Sequence, residues 1–353
     1  MIAARGFGKM PAASDSLSEV RVLEHFWYRT RPAHLVLFPL SLLFGAVGAV
    51  RRWLYRVGGL HCARMPVPVI VVGNITVGGT GKTPSVLWLV DYLQEHGYTP
   101  GIVTRGYGGS ENLQEVRLDS DPARAGDEPV LLAKRAGVPV FVGRDRAQAA
   151  LALLSAHPGR DVLVSDDGLQ HYGLARDIEI AVVDGQRRFG NGWLLPAGPL
   201  REPVRRLASV DAVLVHGDSE LPAVRAPQFL AKLTGDSFLN LLNPDFRVAA
   251  PDLRDQPLHA VAGIGNPQRF FAQLQRMGLT FRAHPFPDHF RFSADDLAFA
   301  GDDMVLMTEK DAVKCSVFAR ENWWYLPVEA EVDPALGNLI VAKLRSLHGR
   351  QAA

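Results

Sequence analysis

Short runs of apolar, mostly β-branched residues alternate along the chain with longer segments of helical periodicity. The segments of helical spacing, such as residues 83–98 and 146–158, end near glycine or proline. Uniformly apolar runs that end in glycine or a polar turn are typical of parallel strands buried on both faces. The first five such runs are VPVIVVG (67–73), GIVTRG (101–106), VPVFVG (138–143), DVLVSDD (161–167) and IEIAVVDG (178–185). The pattern predicts a doubly wound, mostly parallel α/β domain.

A second alternating series begins near residue 208 and predicts a smaller α/β domain. Its strand-like runs lie in DAVLVHG, LHAVAGIGNPQRFF, DDMVLMTEKDA and WWYLPVEA. The proline-rich segment 194–210 is the natural junction between the two series. We therefore expect a disordered leader over 1–18, a membrane-anchoring segment over 19–64, a nucleotide-binding domain over 65–207 and a second domain over 208–353 that closes over the active site.

The hydrophobic stretch from Leu35 to Val50 contains no charged residue, and arginines surround it. It is short for a membrane span, and Pro39 lies within it. A buried core helix and a cleaved signal peptide are the alternatives. The arginine flanks, with aromatic residues at both edges, favour a helix that lies in an anionic membrane surface. The flanking residues are Arg21, Arg29, Arg31, Arg51, Arg52, Arg56 and Arg64, and Phe26, Trp27, Tyr28, Trp53 and Tyr55.

Composition excludes several classes of protein. The chain has 353 residues, 47% of them hydrophobic and 21% charged, which is typical of a folded protein. The chain has 38 Lys and Arg residues against 37 Asp and Glu residues. It therefore lacks the excess of basic residues that is typical of nucleic-acid-binding proteins. The two cysteines, Cys62 and Cys315, stand far apart and indicate neither a disulfide framework nor a zinc site. No obligate protein partner is evident from the sequence.

The segment VGNITVGGTGKTP (72–84) has the form of a phosphate-binding loop. It follows an apolar strand and precedes a helical segment, which is the context that such a loop requires. The strict pattern has a first glycine where this chain has Thr76. We expect ATP or GTP to bind residues 76–83, namely Thr76, Val77, Gly78, Gly79, Thr80, Gly81, Lys82 and Thr83. Lys82 would reach the β- and γ-phosphates and Thr83 would hold Mg²⁺.

Acidic residues follow another predicted strand in DVLVSDDGLQH. Asp166 and Asp167 end that strand, where ligands bind in open α/β sheets, and they are candidates for the magnesium site. Gln170 and His171 lie just beyond on the same loop. A helix cap would explain one of the two aspartates but not both.

Further candidates lie at other strand ends. Asp127 and Glu128 precede a predicted helix, where capping explains one acid and a general base or a magnesium partner explains the other. Arg105 and Tyr107 end one strand and Arg144 ends another, at the sheet edge of the phosphate loop, where arginine suits a phosphate or another anionic substrate.

Taken together and in order, these motifs resemble the tetraacyldisaccharide 4'-kinase family, the lipid A 4'-kinases of Gram-negative bacteria. The resemblance covers nearly the whole chain, and DDGLQH and TEKDAVK are not general features of phosphate-loop proteins. The matching segments are VGNITVGGTGKTP, VTRGYGG, GDEPVLLA, SDDGLQHY, RRFGNGWLLPAGPLREP, AGIGNPQRFF, PFPDHF, MTEKDAVKC and ENWWYLPV.

The resemblance implies a peripheral enzyme on the cytoplasmic face of the inner membrane. It would transfer the γ-phosphoryl of ATP, with Mg²⁺, to the 4'-hydroxyl of an acylated glucosamine disaccharide 1-phosphate and form lipid IVA. It also implies that Asp127 is the catalytic base, supported by His289 from the second domain. Asp166 and Asp167 would lie at the magnesium ion with Gln170 and Glu202 nearby. Arg105, Tyr107, Arg144 and Arg201 would position phosphates or the disaccharide.

Two other functions share part of this sequence pattern. Another phosphate-loop ATPase or ligase acting on a small soluble acid shares the loop and the acids, but it does not need the arginine-framed apolar segment. A nucleotide switch would need a guanine-binding motif such as NKxD, and TEKD has Glu309 in place of the asparagine. TEKD fits a strand-to-helix turn equally well, and GIGNP, with Gln268 at the last glycine position of a dinucleotide motif, is interpreted as a structural turn.

Overall fold

The computed structural model describes residues 27, 33–106, 109, 112–222 and 224–351. The predicted leader, most of the arginines and aromatic residues that precede the apolar run, and Tyr107 lie outside these residues.

The larger of two sheets has nine strands in the order β15-β8-β7-β6-β1-β5-β2-β4-β3. The seven inner strands run parallel, and the edge strands β3 and β15 pair antiparallel with their neighbours. The strands at the centre of the sheet are buried along their whole length, as their uniformly apolar sequences predict. The nine strands are β1 Val69–Gly73, β2 Pro100–Thr104, β3 Gln114–Val116, β4 Val140–Val142, β5 Val162–Asp166, β6 Ile178–Asp184, β7 Ala212–His216, β8 Gln228–Thr234 and β15 Glu329–Val332.

Helices and loops cover both faces of this sheet and enclose two separate apolar cores. One core contains side chains of α2 (Lys82–Glu95), α4 (Asp127–Ala136) and the C-terminal helix α8 (Pro334–Gln351). The opposite core contains side chains of α5 (Arg146–Ala156) and of the loops around Leu169 and Leu200. Helix α3 (Pro122–Ala125) is a single turn just before α4. The predicted doubly wound α/β class is confirmed.

The smaller sheet has six strands in the order β10-β9-β14-β13-β11-β12. Its strands β11 to β14 are parallel, and β9 pairs antiparallel with β10 and β14. Helices α6 (Pro267–Arg276) and α7 (Glu309–Cys315) follow β11 and β13. The strands are β9 Ser237–Asn240, β10 Arg247–Ala249, β11 Leu258–Ala262, β12 Arg282–Pro285, β13 Met304–Thr308 and β14 Trp323–Leu326.

The change from one sheet to the other lies later in the chain than the predicted boundary at 207/208. Strands β7 and β8 belong to the larger sheet, and the chain crosses to the smaller sheet between Thr234 and Ser237. It returns between Leu326 and Glu329, so the last strand and helix also pack on the larger sheet. An apolar strand buried on both faces has the same sequence pattern in either sheet, and its pairing partner decides which sheet it joins.

Helix α1 (Ala33–Arg56) is long and apolar enough to cross a membrane by length and composition. Most of its large apolar side chains are exposed, which differs from the alternative of a buried core helix. One face contacts the larger domain: the Phe38 and Trp193 rings lie 4.7 Å apart, and Ser41 Oγ donates to the Leu194 carbonyl at 2.8 Å. The helix is therefore fixed to the protein along one side and presents apolar side chains on the other.

Candidate active site

The phosphate loop connects β1 to α2 at the carboxyl edge of the larger sheet. Gly78 and Gly81 have φ angles of 98° and 88°, a conformation that favours glycine. A Cβ on Gly81 would also lie 2.7 Å from the His216 ring, so this position excludes larger residues. Helix α2 begins at Lys82, and its first backbone N–H groups face the pocket that the loop surrounds.

Thr76, which replaces the first glycine of the strict pattern, is buried and lies in a short antiparallel bridge with Leu200. The Val77 N–H donates to the Pro199 carbonyl at 2.9 Å, and the Arg201 N–H donates to the Ile75 carbonyl at 2.7 Å. The loop therefore leaves the strand in an extended conformation that any residue adopts. This pairing is the physical reason why threonine is tolerated there.

A second group of charges lies beside the loop. Lys82 Nζ is 3.4 Å from Asp167 Oδ1, and Arg201 Nη1 is 3.1 Å from Asp167 Oδ2. Burial raises the pKa of Asp167, but the Lys82 and Arg201 charges outweigh burial, so this pKa lies well below its usual range. Asp167 is therefore a carboxylate at the phosphate end of the pocket.

Asp166, the last residue of β5, is fully buried behind Asp167. Its Oδ2 accepts from Thr104 Oγ1 at 3.3 Å, whereas its Oδ1 has no hydrogen-bond partner among the described residues. Burial, with the neighbouring Glu128 and Asp167 charges, raises the pKa of Asp166 to about 7. A buried carboxylate oxygen without a partner is a suitable ligand for a hard cation, and the Thr83 hydroxyl and Asp167 supply oxygens of the same kind.

Glu202, which the family resemblance places near the magnesium ion, is in contact with three other side chains. Its Oε1 accepts from Arg52 Nη1 at 2.7 Å and from the Tyr172 hydroxyl at 2.6 Å, and its Oε2 accepts from Gln170 Nε2 at 3.0 Å. Both oxygens are thus occupied, and the side chain does not line the pocket. Within the described residues, no group of three or more His, Cys, Asp or Glu side chains is arranged to hold a metal ion. Glu202 instead links α1 to the loop that follows β5.

The Asp127–His289 pair joins the two sheets. Asp127 is the first residue of α4, and His289 lies on the loop after β12 with a φ of 57°. His289 Nδ1 is 3.1 and 3.2 Å from the two carboxylate oxygens of Asp127. Burial would raise the pKa of Asp127, but the hydrogen bond from His289 and the charge of Lys310 lower it below its usual value. Burial lowers the pKa of His289, but the hydrogen bond to Asp127 and the charges of Asp127 and Asp288 together outweigh it, so the net shift of this pKa is upward.

The phosphate loop, Asp167 and His289 line one pocket of about 520 Å³, and Asp127 adjoins it through its contact with His289. The larger sheet contributes residues 77–84, Glu128, Asp167 and Arg201 to its wall, and the smaller sheet contributes Ile264, Gly265, Asn266, Arg269, Asp288, His289 and Lys310. Apolar side chains of both sheets form the rest of the wall: Leu87, Leu131, Leu233, Phe270, Leu326 and Val328. The pocket can hold a molecule with an apolar ring at one end and several negative charges at the other.

The remaining predicted residues lie around this pocket. Gln170 donates to the Asn74 carbonyl at 2.9 Å and supports the base of the phosphate loop. His171 lies on the same loop, and burial, together with the Arg146 charge, lowers its pKa to about 4. Arg105 and Arg144 are exposed at strand ends and do not line the pocket.

Several residues of the site were missed by sequence reasoning. Arg269 and Asp288 line the pocket from the smaller sheet, and Gly265, interpreted as part of a structural turn, lies against the phosphate loop. Buried Arg146 donates from Nη2 to the carbonyls of Asp166 and Asp167 at 3.0 and 2.8 Å. None has a spacing signal, because each reaches the site through contacts distant in sequence.

This fold and this site define a phosphate-loop α/β protein with a pocket between two sheets, lined by the phosphate loop and by the imidazole of a carboxylate–imidazole pair. The sequence model of the family described as Tetraacyldisaccharide-1-P 4'-kinase matches residues 33–345. The chain belongs to this family, and the predicted resemblance is confirmed.

Individual relatives agree with the family match. A Methylobacillus flagellatus protein named tetraacyldisaccharide 4'-kinase is 53% identical over 328 residues, which cover 93% of this chain and 97% of the relative. An Azoarcus protein of the same name is 54% identical over 356 residues, covering 100% of both chains. The crystal structure of Aquifex aeolicus LpxK in complex with ATP is 29% identical, covers 88% of this chain and 99% of its own, and has a TM-score of 0.74.

Proposed function

We propose that this protein is an ATP-dependent lipid kinase of lipid A biosynthesis. It transfers the γ-phosphoryl of ATP to the 4'-hydroxyl of a tetraacylated glucosamine disaccharide 1-phosphate and forms lipid IVA. The observation that carries the proposal is the shared pocket, which the phosphate loop and His289 both line, with Asp127 in contact with His289, in a chain of this family. The relatives named tetraacyldisaccharide 4'-kinase and the ATP complex of the Aquifex protein support the same assignment.

ATP would bind with its phosphates at residues 76–83. The glycines allow backbone N–H groups to approach the phosphates, and the start of α2 adds a favourable dipole. Lys82 and Arg201, now held by Asp167, supply positive charge for the γ-phosphoryl. The apolar end of the pocket would receive the base.

Magnesium fits the oxygens of Thr83, Asp166 and Asp167, including the buried Asp166 Oδ1 that has no partner among the described residues. When bound, the ion would neutralise charge on the phosphates. The charge of such an ion would also keep Asp166 ionised near neutral pH.

The Asp127–His289 pair would accept the proton of the 4'-hydroxyl while the oxygen of that hydroxyl forms a bond to the γ-phosphorus. The bond between that phosphorus and the bridging oxygen breaks, and ADP leaves. Phosphoryl transfer needs mainly positioning, charge and a proton acceptor, and these are the functions of the groups gathered here. Because each group shifts the pKa of the other, the pair would act as one acceptor, with Asp127 as its base.

The disaccharide would enter on the side of the Asp127–His289 pair. Glu128 lines the pocket there. Arg105 and Arg144 lie exposed at the ends of β2 and β4 on the same sheet edge, where they suit a phosphate that extends beyond the pocket. Tyr107, Gln170 and His171 are further candidates for positioning the phosphate or the disaccharide.

Membrane association follows from the substrate, since four acyl chains keep it in the bilayer. Helix α1 presents exposed apolar residues and carries the exposed Arg51 and Arg56 at its end. These features suit a helix lying in the headgroup region of the cytoplasmic face of the inner membrane. The two sheets would act as two units that close over ATP and the lipid.

The direct test is transfer of labelled phosphate from ATP to detergent-dispersed tetraacyl disaccharide 1-phosphate. We expect one phosphate at the 4' position and no transfer without Mg²⁺. A folded protein that transfers no phosphate to the lipid with Mg²⁺ present would exclude the kinase assignment. Transfer to a small soluble acid instead would favour the alternative ATPase or ligase.

The anchor is tested separately by replacing Val36, Leu43 and Val47 with serine. These side chains are 81%, 59% and 61% exposed, so the fold should tolerate the change. We expect loss of co-sedimentation with anionic vesicles. The matched control replaces Leu118, Leu242 and Val317, which are exposed elsewhere, and should still bind. Equal binding of both variants would contradict the anchor.

A further inference from the structure

Lys310 lies where the two sheets meet, and it has no role in the reaction proposed above. It is the second residue of α7, which follows β13 of the smaller sheet. Its side chain is only 15% exposed and extends to the start of α4 on the larger sheet. A buried lysine is costly unless carboxylates surround it, so the position of this side chain requires an explanation.

Four groups surround the Lys310 ammonium. Its Nζ is 3.2 Å from Glu128 Oε1 and 3.3 Å from Asp288 Oδ1. It is also 3.5 Å from His289 Nε2 and 3.7 Å from Asp127 Oδ2. One cation therefore contacts both members of the proton-accepting pair and the acidic residue next to each of them.

These contacts determine how the neutral His289 ring carries its proton. An ionised Asp127 only accepts hydrogen bonds, so His289 Nδ1, 3.1 Å away, must donate. An ammonium only donates, so His289 Nε2 presents its lone pair to Lys310. Asp127 and Lys310, at opposite nitrogens, select the same tautomer.

We infer that Lys310 is a positioning residue of the proton-accepting pair, which fixes the His289 ring and keeps Asp127 ionised beside two further carboxylates. The inference rests on the proposed function. Because Lys310 and His289 come from the smaller sheet and Asp127 and Glu128 from the larger, the pair reaches its working charge state only when the sheets are together.

Charged groups from three elements surround the Asp127–His289 pair. Asp127 and Glu128 approach from α4, Asp288 from the loop of His289, and Lys310 and Lys314 from α7. The Lys310 charge lowers the pKa of Asp127 and also that of His289. Without the Lys310 charge, the negative charges of the neighbouring carboxylates are no longer offset, so the pKa values of Asp127 and His289 both rise. The pair then stays protonated to a higher pH, and the acidic limb of the pH–rate profile moves upward.

The experiment compares Lys310→Met, which keeps the length of the side chain without its charge, with Lys310→Arg, which keeps the charge. Lys232→Met is the matched control, because Lys232 is 67% exposed and contacts Asp218 away from the pocket. For each protein kcat and KM for ATP are measured from pH 5 to 9, together with ATP affinity by calorimetry and thermal unfolding.

For Lys310→Met we expect kcat near neutral pH to fall about 10- to 100-fold. The acidic limb should shift up by about one pH unit, so that activity partly recovers in alkaline buffer. ATP affinity should stay within about twofold, since Lys310 acts on the pair and not on the phosphates. Lys310→Arg should return the limb toward its wild-type position, and Lys232→Met should match wild type.

Three results would overturn the inference. A fall in kcat with an unmoved acidic limb would mean that Lys310 only supports the fold. A large loss of ATP affinity would make it a phosphate ligand. Unchanged kinetics in a folded Lys310→Met protein would show that the contact has no catalytic consequence.

A measurement without substrate separates this inference from the proposed function. The His289 imidazole is titrated by NMR in histidine-labelled wild type and in Lys310→Met, with His289→Gln used to assign the signal. A higher His289 pKa in Lys310→Met supports the inference even if wild type transfers no phosphate to the lipid. An unchanged His289 pKa contradicts it even if the wild-type kinase assay succeeds.

Discussion

The two halves of the site are built in different ways. The phosphate half consists of residues 76–83, Asp166, Asp167 and Arg201, which lie on loops, at the end of β5 and at the start of α2 at the carboxyl edge of the larger sheet. The proton-transfer half consists of Asp127, Glu128, His289 and Lys310, two from each sheet. All residues of the first half come from the larger sheet. The second exists only when the two sheets are apposed, so chemistry can be coupled to closure.

The largest effect is expected for Asp127→Asn, which removes the carboxylate and leaves the phosphate half intact. We expect kcat to fall by about 10²- to 10⁴-fold, the usual contribution of a general base. ATP affinity, measured by calorimetry, should change little, because Asp127 does not line the pocket. Loss of ATP binding would instead indicate a magnesium or structural role and would break the division into halves.

Lys82→Met tests the other half. Lys82 contacts Asp167 at 3.4 Å and would exchange this contact for the phosphates of ATP. We expect kcat/KM to fall by about 10²- to 10³-fold, with much of the loss in ATP affinity. The pH profile of the remaining activity should keep its acidic limb, since the Asp127–His289 pair is unchanged. A shifted limb would show that the halves are coupled through charge.

His216 gives the phosphate half its own pH dependence. It is buried at the end of β7, and its Nε2 lies 2.9 Å from Ser85 Oγ and 3.2 Å from the Gly81 carbonyl. Burial and the Arg269 charge lower its pKa from 6.5 to about 4, so the folded protein keeps it neutral. Below pH 6.5 the unfolded chain binds this proton more readily, and stability is lost as the pH falls toward 4. The loss is about 3 kcal/mol for such a displacement.

Denaturant unfolding of His216→Asn between pH 7 and 4 isolates this contribution. The variant should be less stable at pH 7, because it loses the contact with Ser85, but its stability should decline less steeply on acidification than that of wild type. Ser85→Ala removes the same contact without removing the imidazole, and it should keep the wild-type decline. Parallel curves for wild type and His216→Asn would contradict a buried neutral histidine.

The difference between the halves also explains which parts the sequence could predict. The phosphate loop is consecutive, and its strand, glycines, lysine and helix can be read together without any knowledge of distant contacts. Thr76 departed from the strict pattern, and its bridge to Leu200 explains why the departure is harmless. Asp166 and Asp167 were predicted because carboxyl ends of parallel strands meet at one edge.

The remainder depended on contacts that no local pattern contains. Glu202 follows a conspicuous motif, but its partners Arg52 and Tyr172 lie 150 and 30 positions away, and they hold it outside the pocket. Strand β7 has the composition of either sheet, so its place in the larger sheet could not be read from its sequence. Lys310 lay in a turn-like segment, and only the packing of α7 against α4 places it at the proton-accepting pair.

The smallest effect is expected for the ion pair between Arg135 and Glu309, which links the two sheets but does not contact the Asp127–His289 pair. Arg135 Nη1 of α4 lies 2.7 Å from Glu309 Oε1 of α7, so this ion pair links the two sheets. It is partly exposed, with Arg135 at 27%, and such pairs contribute about 1 kcal/mol. Arg135→Met should therefore lower kcat/KM by up to about fivefold through a smaller closed population.

High salt screens this ion pair, so it should lower kcat/KM of the wild-type protein toward the value for Arg135→Met. Arg117→Met is the matched control, because the Arg117–Glu115 pair at 3.8 Å is largely exposed and lies within the larger domain, so kcat/KM should not change. A double-mutant cycle with Glu309→Gln should give a coupling of about 1 kcal/mol in kcat/KM. If that coupling appeared only in the free energy of unfolding and not in catalysis, the proton-transfer half would be as permanent as the phosphate half, and closure would not control it.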